Sequence, residues 1–189
     1  MTKILIPFET SLGERRVSAT PESVKKLKKL GCEVYVEKSA GKLSGFNDFS
    51  YEENGGKVIN HDENDILEKI DIVFCVQCPD QQKLKKLKSG SILMGLLNPF
   101  GNNQLYKSIS EQKLTAIALE LIPRISRAQS CDALSSQANI AGYKSVLLAA
   151  SELDRYFPML MTAAGTVQPA KVIVLGGGVA GLQAVATAK

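Results

Sequence analysis

The sequence predicts an α/β fold built on a parallel sheet. Short apolar runs of strand length alternate with segments of helical spacing, an order typical of parallel sheets. The helical segments also begin at suitable capping residues. In Thr20-Pro21-Glu22, for example, Thr20 suits the N-cap and Pro21 the first helical position. The first lobe is therefore predicted to be a flavodoxin/Rossmann-like layer of helices on a parallel sheet.

The elements of this lobe can be predicted in chain order. Strands are expected at residues 3–6, 32–37, 72–76, 92–97 and 114–119. Helices are expected at residues 21–30, 65–70, 81–88 and 104–112. Val24, Leu27 and Leu30 follow the 3–4 spacing of an apolar helix face, and Gly31 suits the helix end.

The character of the sequence changes after residue 119. A polar stretch at 121–130 precedes a long helical pattern whose small residues permit close helix packing. The predicted domains are an N-terminal α/β lobe at 1–131, a connecting helix at 132–157, and the beginning of a second, incomplete Rossmann-like lobe at 158–189.

Composition excludes several classes of protein. The chain has 189 residues, 44% hydrophobic and 22% charged, with a net charge of +4, which is typical of a soluble globular protein and not of a disordered one. No apolar run approaches the roughly 18 residues of a membrane span, and the apolar N-terminus is too short for a signal peptide. A cytosolic location is therefore expected. With no Trp and little net charge, no nucleic-acid partner is predicted.

Cysteine and histidine supply no site in this interpretation. Cys75 and Cys78 form a C-x-x-C within a strand-like run, whereas a redox motif needs its first thiol near a helix N-terminus. The lone His61 and distant Cys32 do not complete a zinc site. Buried or half-buried free thiols, a surface His61 and no metal are expected. The charge run at 83–88 is predicted to be a surface helix with solvated lysines, packed through Leu84 and Leu87.

A glycine loop directly follows a buried-type strand predicted at 171–175. Gly176, Gly178 and Gly181 fit G-x-G-x-x-G and open an apolar helix at 180–188. Gly176 permits the tight turn, Gly178 lets backbone N–H groups approach a pyrophosphate, and Gly181 allows close helix–strand packing. The helix N-terminus attracts phosphate. The strand before and the helix after the loop predict a dinucleotide site. The acidic residue expected about 20 residues later, which would hold the adenine ribose, would lie beyond Lys189.

Two further motifs resemble a known family. The pattern Glu14-Arg15-Arg16-Val17-Ser18-Ala19-Thr20-Pro21 is similar to that of alanine dehydrogenases and NAD(P)+ transhydrogenases. The segment from Pro123 to Tyr143 resembles the nicotinamide-site loop of the transhydrogenase α subunit, and 157–169 also fits that subunit. The resemblance covers essentially the whole chain, and the family's domain is roughly twice as long.

The resemblance implies a function. Proton-translocating transhydrogenases transfer hydride between NAD(H), bound on this type of domain, and NADP(H), bound on a partner domain. A membrane domain carries the protons. The implied partners are those NADP-binding and membrane domains, together with a second copy in a homodimer, and the implied location is peripheral, at the inner face of a membrane.

The resemblance also implies site residues. Arg124, Gln129, Asp132 and Ser135 would surround the nicotinamide and its ribose, contributing positioning to hydride transfer. The cofactor-binding set is Arg124, Gln129, Ser130, Cys131, Asp132, Ala133, Ser135, Gly176, Gly178, Val179 and Gly181. Gln137 and Tyr143, on the same helix, are assigned to structure. From the residues alone, Asp132 and Ser135 could equally cap the long helix, and Arg124 and Arg127 could be solvated.

Two alternatives remain. An alanine dehydrogenase would carry a substrate-binding Lys where Gln77 stands and a catalytic His near the segment Gly95 to Phe100, which has none. Without those groups Arg16 is expected to serve structure. The other alternative is a non-catalytic, truncated fragment, suggested by the adenine-ribose acid and the strands missing after Lys189.

Overall fold

The computed structural model describes residues 1–61, 63–101 and 103–189. They cluster into two compact units, Met1–Ile122 and Pro123–Lys189. The division of the chain at residues 131 and 157 stays a prediction.

The first unit is built on a six-stranded parallel sheet with the order β3-β2-β1-β4-β5-β6. Its strands are β1 (Lys3–Ile6), β2 (Glu33–Glu37), β3 (Lys57–Ile59), β4 (Ile72–Gln77), β5 (Ile92–Leu96) and β6 (Thr115–Ala118). The order reverses between β1 and β4, as in Rossmann folds. The predicted α/β, Rossmann-like sheet is confirmed.

Helices cover both faces of this sheet. They are α1 (Pro21–Lys29), α2 (Asp48–Glu53), α3 (Asn64–Leu67), α4 (Gln81–Lys86) and α5 (Asn103–Glu111). Side chains alternate along β1, so Ile4 and Ile6 join one buried cluster with Val24 of α1, while Leu5 joins another with Leu84 of α4. Burial on both faces explains why these strands read as continuous apolar runs.

Most of the predicted elements of this unit are confirmed, to within a few residues at their ends. Thr20 caps α1 through a bond from the Ser23 N–H, and Pro21 is its first residue. The prediction misses α2 and β3. Strand β3 has three residues and an exposed Lys57, too short a pattern for alternation to be recognised.

The expectation of solvated lysines at 83–88 is wrong for Lys83. Its side chain is 16% exposed, and its ammonium lies 2.7 Å from both carboxylate oxygens of the buried Glu37. A buried carboxylate needs a paired charge, and Lys83 supplies it. Helix α4 also ends at Lys86, two residues before the prediction, because Leu87 is extended. Leu84 and Leu87 are buried as predicted.

The second unit contains α6 (Ala133–Glu152), the antiparallel hairpin β7 (Leu160–Thr162) and β8 (Gly165–Val167), and α7 (Val179–Ala188). The connecting helix predicted to reach residue 157 is five residues too long, because Leu153 adopts an extended conformation. The hairpin is not among the predicted elements. None of the helices in these described ranges is long and apolar enough to cross a membrane.

The strand predicted at 171–175 is wrong. These residues form no ladder in the described parts of the chain, and Ile173 and Leu175 are 85% and 95% exposed. A strand exists only through hydrogen bonds to a neighbour, so an apolar run without one stays irregular. The helix predicted after the glycines is confirmed, beginning at Val179.

Candidate functional site

The second unit contains both loops in which site residues are predicted. We call residues 123–135 the polar loop and residues 176–181 the glycine loop. The polar loop contains a six-residue 3-10 turn, Ser126–Cys131, and ends in the first turn of α6. The short turn exposes Gln129, Ser130 and Cys131, with Cys131 Sγ 3.9 Å from Ser130 Oγ. The exposure of Cys131 differs from the expected buried thiol, whereas Cys75 is buried and Cys78 partly so.

Asp132 joins the polar loop to α6. Its Oδ1 accepts the Ser135 N–H at 2.8 Å, and its Oδ2 accepts the Ser135 hydroxyl at 2.6 Å. Asp132 is therefore the N-cap of α6, and the carboxylate also compensates the positive end of the helix dipole. The capping interpretation of Asp132 and Ser135 is realised, and Ala133 is the first helical residue.

The charge of Asp132 is held by its surroundings. Hydrogen bonds from the Ser135 hydroxyl and the Ser135 N–H lower the pKa of this carboxyl, and the positive charge of Arg124 adds to the effect. Asp132 is thus an acceptor-only carboxylate at neutral pH. A carboxylate with a guanidinium nearby can accept amide or hydroxyl protons from a ligand without exchanging a proton itself.

An open cleft of about 290 Å³ lies beside this carboxylate. Its lining residues are Arg124, Ile125, Ser126, Ala128, Gln129 and Asp132. Three of the four predicted catalytic residues thus meet in one cleft, and Ser135, which is not among the lining residues, donates hydrogen bonds to Asp132. Ser130, Cys131 and Ala133 are outside the lining. Sequence reasoning misses Ile125, Ser126 and Ala128 as lining residues, because small or apolar side chains have no functional group that would indicate ligand binding.

The glycine loop is shaped by close backbone approach. Gly176 has φ +114°, a left-handed conformation that favours glycine. A Cβ on Gly181 would lie 2.0 Å from the Gly176 carbonyl oxygen and 3.5 Å from Val174 Cγ1. Gly181 therefore lets the helix fold back onto the loop itself, in addition to the predicted contact with the segment before it.

The start of α7 is accessible to a ligand. Gly178 is its N-cap and supplies no side-chain hydrogen bond, and a Cβ on Gly178 would meet only open space. Val179 is the first helical residue. A ten-residue helix with a bare N-terminus presents N–H groups and a partial positive charge, the arrangement that binds phosphate.

The first unit holds the residues that bear on the alanine dehydrogenase alternative. Arg16 donates from Nε at 2.7 Å and from Nη2 at 2.6 Å to Glu14. The Gln77 amide donates to the same carboxylate at 3.1 Å. The Arg16 guanidinium holds the pKa of Glu14 down at about 2. Arg16 is thus engaged with a carboxylate of its own chain, in line with the structural role expected for it.

His61 lies at the surface as predicted. Its ring is about half exposed and contacts Glu37, with Nδ1 3.4 Å from Oε2, and the Phe8 ring at 5.2 Å between centroids. These contacts belong to the Glu37–Lys83 cluster of the first unit.

Comparison with known proteins identifies the family of this chain. Residues 5–141 match the description "Alanine dehydrogenase/PNT, N-terminal domain", and residues 145–189 match its C-terminal domain. An NAD(P) transhydrogenase α-subunit chain of Rhodospirillum rubrum is 47% identical over 99% of this chain and 50% of its own length. A crystal structure of transhydrogenase from Sinorhizobium meliloti superposes with a TM-score of 0.93 and 46% identity, over 98% of this chain and 55% of that one.

The alanine dehydrogenases are more distant. That of Methanococcus maripaludis is 30% identical over 95% of this chain and 48% of its own length. The chain spans about half the length of the Rhodospirillum rubrum and Sinorhizobium meliloti proteins that it matches over nearly its whole length. The similarity to transhydrogenase α subunits, first drawn from the polar-loop motif, is confirmed. The chain belongs to the alanine dehydrogenase/PNT family, on its transhydrogenase side.

Proposed function

We propose that this chain forms the nicotinamide side of an NAD(H) site in a transhydrogenase, which transfers hydride between NAD(H) and NADP(H). The observation that carries the proposal is the presence, in one unit, of the Arg124–Gln129–Asp132 cleft and the uncapped glycine-loop helix. A dinucleotide needs both, since one end is a polar amide on a ribose and the middle is a pyrophosphate.

The donor set of the cleft suits a nicotinamide and its ribose. The Asp132 carboxylate accepts hydrogen bonds from a carboxamide NH₂ or a ribose hydroxyl, and the Gln129 amide can donate and accept. Arg124 is an always-charged donor for a phosphate or carbonyl oxygen. At the glycine loop, the open space at Gly178 leaves the N–H groups of α7 free to be approached.

The bound nucleotides supply the redox chemistry, in which a hydride leaves the C4 of NADH and joins the C4 of NADP⁺. The residues of this chain bind and orient. Neither an acid nor a base is needed, because the hydride carries both electrons and its proton. Their contribution is to hold the nicotinamide C4 within reach of its acceptor, which controls the probability of transfer.

The partners follow from this assignment. NADP(H) would be bound on a separate domain, and proton translocation would belong to partner membrane domains. The protein would be cytoplasmic, peripheral to the inner face of a membrane through those domains, and homodimeric. Light scattering on the protein that contains this chain would measure a dimeric mass, and a monomeric mass at micromolar concentration would contradict the dimer.

Two arginines of the polar loop provide a matched test. Arg124 lines the cleft and Arg127 does not, although both are exposed. With NADH fluorescence as the readout, Arg124→Gln is expected to weaken binding about tenfold, the cost of one charged contact, and Arg127→Gln to leave it unchanged. Equal effects of the two substitutions would contradict the site.

Asp132→Asn tests positioning. It keeps an oxygen for the Ser135 N–H but removes the charge, so NADH-dependent reduction of NADP⁺ with the NADP-binding partner should slow by at least about tenfold. Wild-type turnover in Asp132→Asn would refute the role of Asp132.

Two outcomes would favour the alternatives. If neither this chain nor the protein that contains it binds NADH saturably, the non-catalytic alternative is favoured. Pyruvate- or alanine-dependent turnover would favour an alanine dehydrogenase.

A further inference from the structure

Helices α6 and α7 meet at a glycine. Gly142 is buried, and a Cβ built on it would lie 2.2 Å from the Ala180 carbonyl oxygen and 2.9 Å from the Ala180 carbonyl carbon. Both atoms are backbone, so no side-chain rotation relieves the contact. A glycine inside a helix destabilises that helix relative to alanine. Position 142 requires glycine because only a residue without a Cβ allows α7 to approach α6 this closely.

The same crossing joins the two loops of the candidate site. Gly142 is ten residues (142 − 132) beyond the Asp132 cap, about 15 Å along α6 at 1.5 Å per residue. Ala180 is the second residue of α7, directly after the Gly178 cap and Val179. Helix α6 therefore begins at the polar loop and contacts the first turn of α7 with its side.

A second contact supports the crossing. The Asn139 amide donates to Gln183 Oε1 at 3.1 Å, one turn from Gly142 on α6 and one turn from Ala180 on α7. Val146 of α6 and Ala184 of α7 are also buried. The Asn139–Gln183 hydrogen bond and the close approach of Gly142 to Ala180 together fix the register of the two helices.

We propose that Gly142 is a positioning residue that sets the spacing between the polar loop and the glycine loop. This inference rests on the proposed function, since it concerns the same nucleotide site. A methyl group at Gly142 must move from 2.2 Å to more than 3.0 Å from the Ala180 oxygen, which separates the helices by about 1 Å. The heavy atoms nearest to that methyl group are the O, C and Cα of Ala180, so the contact displaces α7 without meeting the N–H groups that a ligand would approach.

The consequence differs between whole and partial ligands. A dinucleotide engages both loops at once, and its affinity depends on the two sites standing at the spacing its covalent structure imposes. A ligand that engages one loop does not sense the spacing. Gly142→Ala should therefore weaken binding of NADH while sparing reduced nicotinamide mononucleotide and inorganic pyrophosphate.

The experiment compares these three ligands in the protein that contains this chain. For Gly142→Ala we expect the NADH dissociation constant to rise about tenfold, and those of the two half-ligands, from competition titrations, to change by less than about twofold. Ala141→Gly is the control, because Ala141 is exposed and its change alters helix propensity without a clash. The double variant Ala141→Gly/Gly142→Ala restores that propensity and should bind like Gly142→Ala.

Each outcome decides a different point. Wild-type NADH affinity in Gly142→Ala, or equal losses for all three ligands, would overturn the positioning role while leaving the proposed function standing. No NADH binding by the wild-type protein would refute the proposed function, and this inference with it. If Gly142→Ala did not fold, Asn139→Ala would test the same crossing without added volume. Asn139→Ala should also weaken NADH binding selectively, by a smaller factor. Equal weakening of NADH and of the two half-ligands would refute the inference.

Discussion

Asp132→Ala tests the local stability on which the candidate site depends. The substitution removes both bonds to Ser135, at 2.8 and 2.6 Å, and the negative charge at the start of α6. Loss of an N-cap destabilises a helix end by about 1 kcal/mol, and loss of a charge at this end by about 0.3–1 kcal/mol. The sum of about 1.3–2 kcal/mol predicts that the first turn of α6 opens about 10–30 times more often.

Hydrogen exchange measures this opening directly. Peptides covering residues 133–137 should exchange faster in Asp132→Ala by the predicted factor, whereas peptides covering 146–152 should not change. Asp132→Asn keeps an acceptor for the Ser135 N–H and should recover most of the protection. Ser136→Ala is a control, since its hydroxyl donates to the main-chain carbonyl of Asp132 at 3.1 Å, which the Asp132 side chain does not supply. Unchanged exchange in Asp132→Ala would refute the capping argument.

This measurement separates the two roles of Asp132. If Asp132→Asn keeps the protection of α6 but loses NADH-dependent turnover, the loss belongs to the nucleotide contact and not to a frayed helix. If protection and turnover fall together in every variant, the cap alone explains the effect.

Three further predictions concern the rest of the chain. Because its folded pKa is lowered from 4.5 to about 2, Glu14 should stabilise the protein above pH 4.5 and lose that contribution as the pH falls from 4.5 to 2. Solvent screening limits the contribution to about 1 kcal/mol, and urea midpoints of Glu14→Gln at pH 7 and pH 3 would measure it. Leu93→Ala, at a fully buried position of β5, should lower the free energy of unfolding by about 2–5 kcal/mol in urea titrations. Iodoacetamide at pH 8 should alkylate the exposed Cys131 well before Cys75, because burial raises the pKa of the Cys75 thiol. Bound NADH should slow the reaction of Cys131.

Each of these has a matched control. Glu22→Gln removes an exposed pair with Lys26 and should leave the pH dependence unchanged, and a wild-type profile in Glu14→Gln would contradict the first prediction. Leu12→Ala, at a fully exposed leucine, should change stability by less than about 0.5 kcal/mol. A comparable loss there would contradict the burial argument. Cys131→Ser should abolish the fast alkylation, and a surviving fast phase would place the reactive thiol elsewhere.

Local pattern is enough for much of the fold. Strands β1, β2, β4 and β5 are predictable because each is an apolar run that the parallel sheet buries on both faces. Strand β6 is predictable as an apolar run too, although it lies at a sheet edge and is exposed or half-buried. Strand β3 is not, because three residues at a sheet edge carry too little pattern. The segment at 171–175 shows the opposite failure. Its composition is that of a buried strand, but a ladder needs a neighbour, and composition says nothing about one.

The candidate site divides in the same way. Arg124, Gln129 and Asp132 are predictable, because their chemistry is visible in the side chains and their motif resembles a family. The sequence leaves the cap from Asp132 to Ser135 open, since a carboxylate three residues before a serine suits both a cap and a ligand. Ile125, Ser126 and Ala128 enter the cleft only through the 3-10 turn that brings their backbone beside Asp132.

The sequence by itself determined the α/β class, the family and the polar residue types of the candidate cleft, since these follow from periodicity, capping and local motif. Tertiary structure alone decided which distant residues meet. It paired Lys83 with the buried Glu37, 46 residues apart, and placed Gly142 against the Ala180 carbonyl. The physical reason is that such contacts depend on how whole elements pack. A sequence specifies that packing collectively, through the burial of all its apolar faces, and not at any single position.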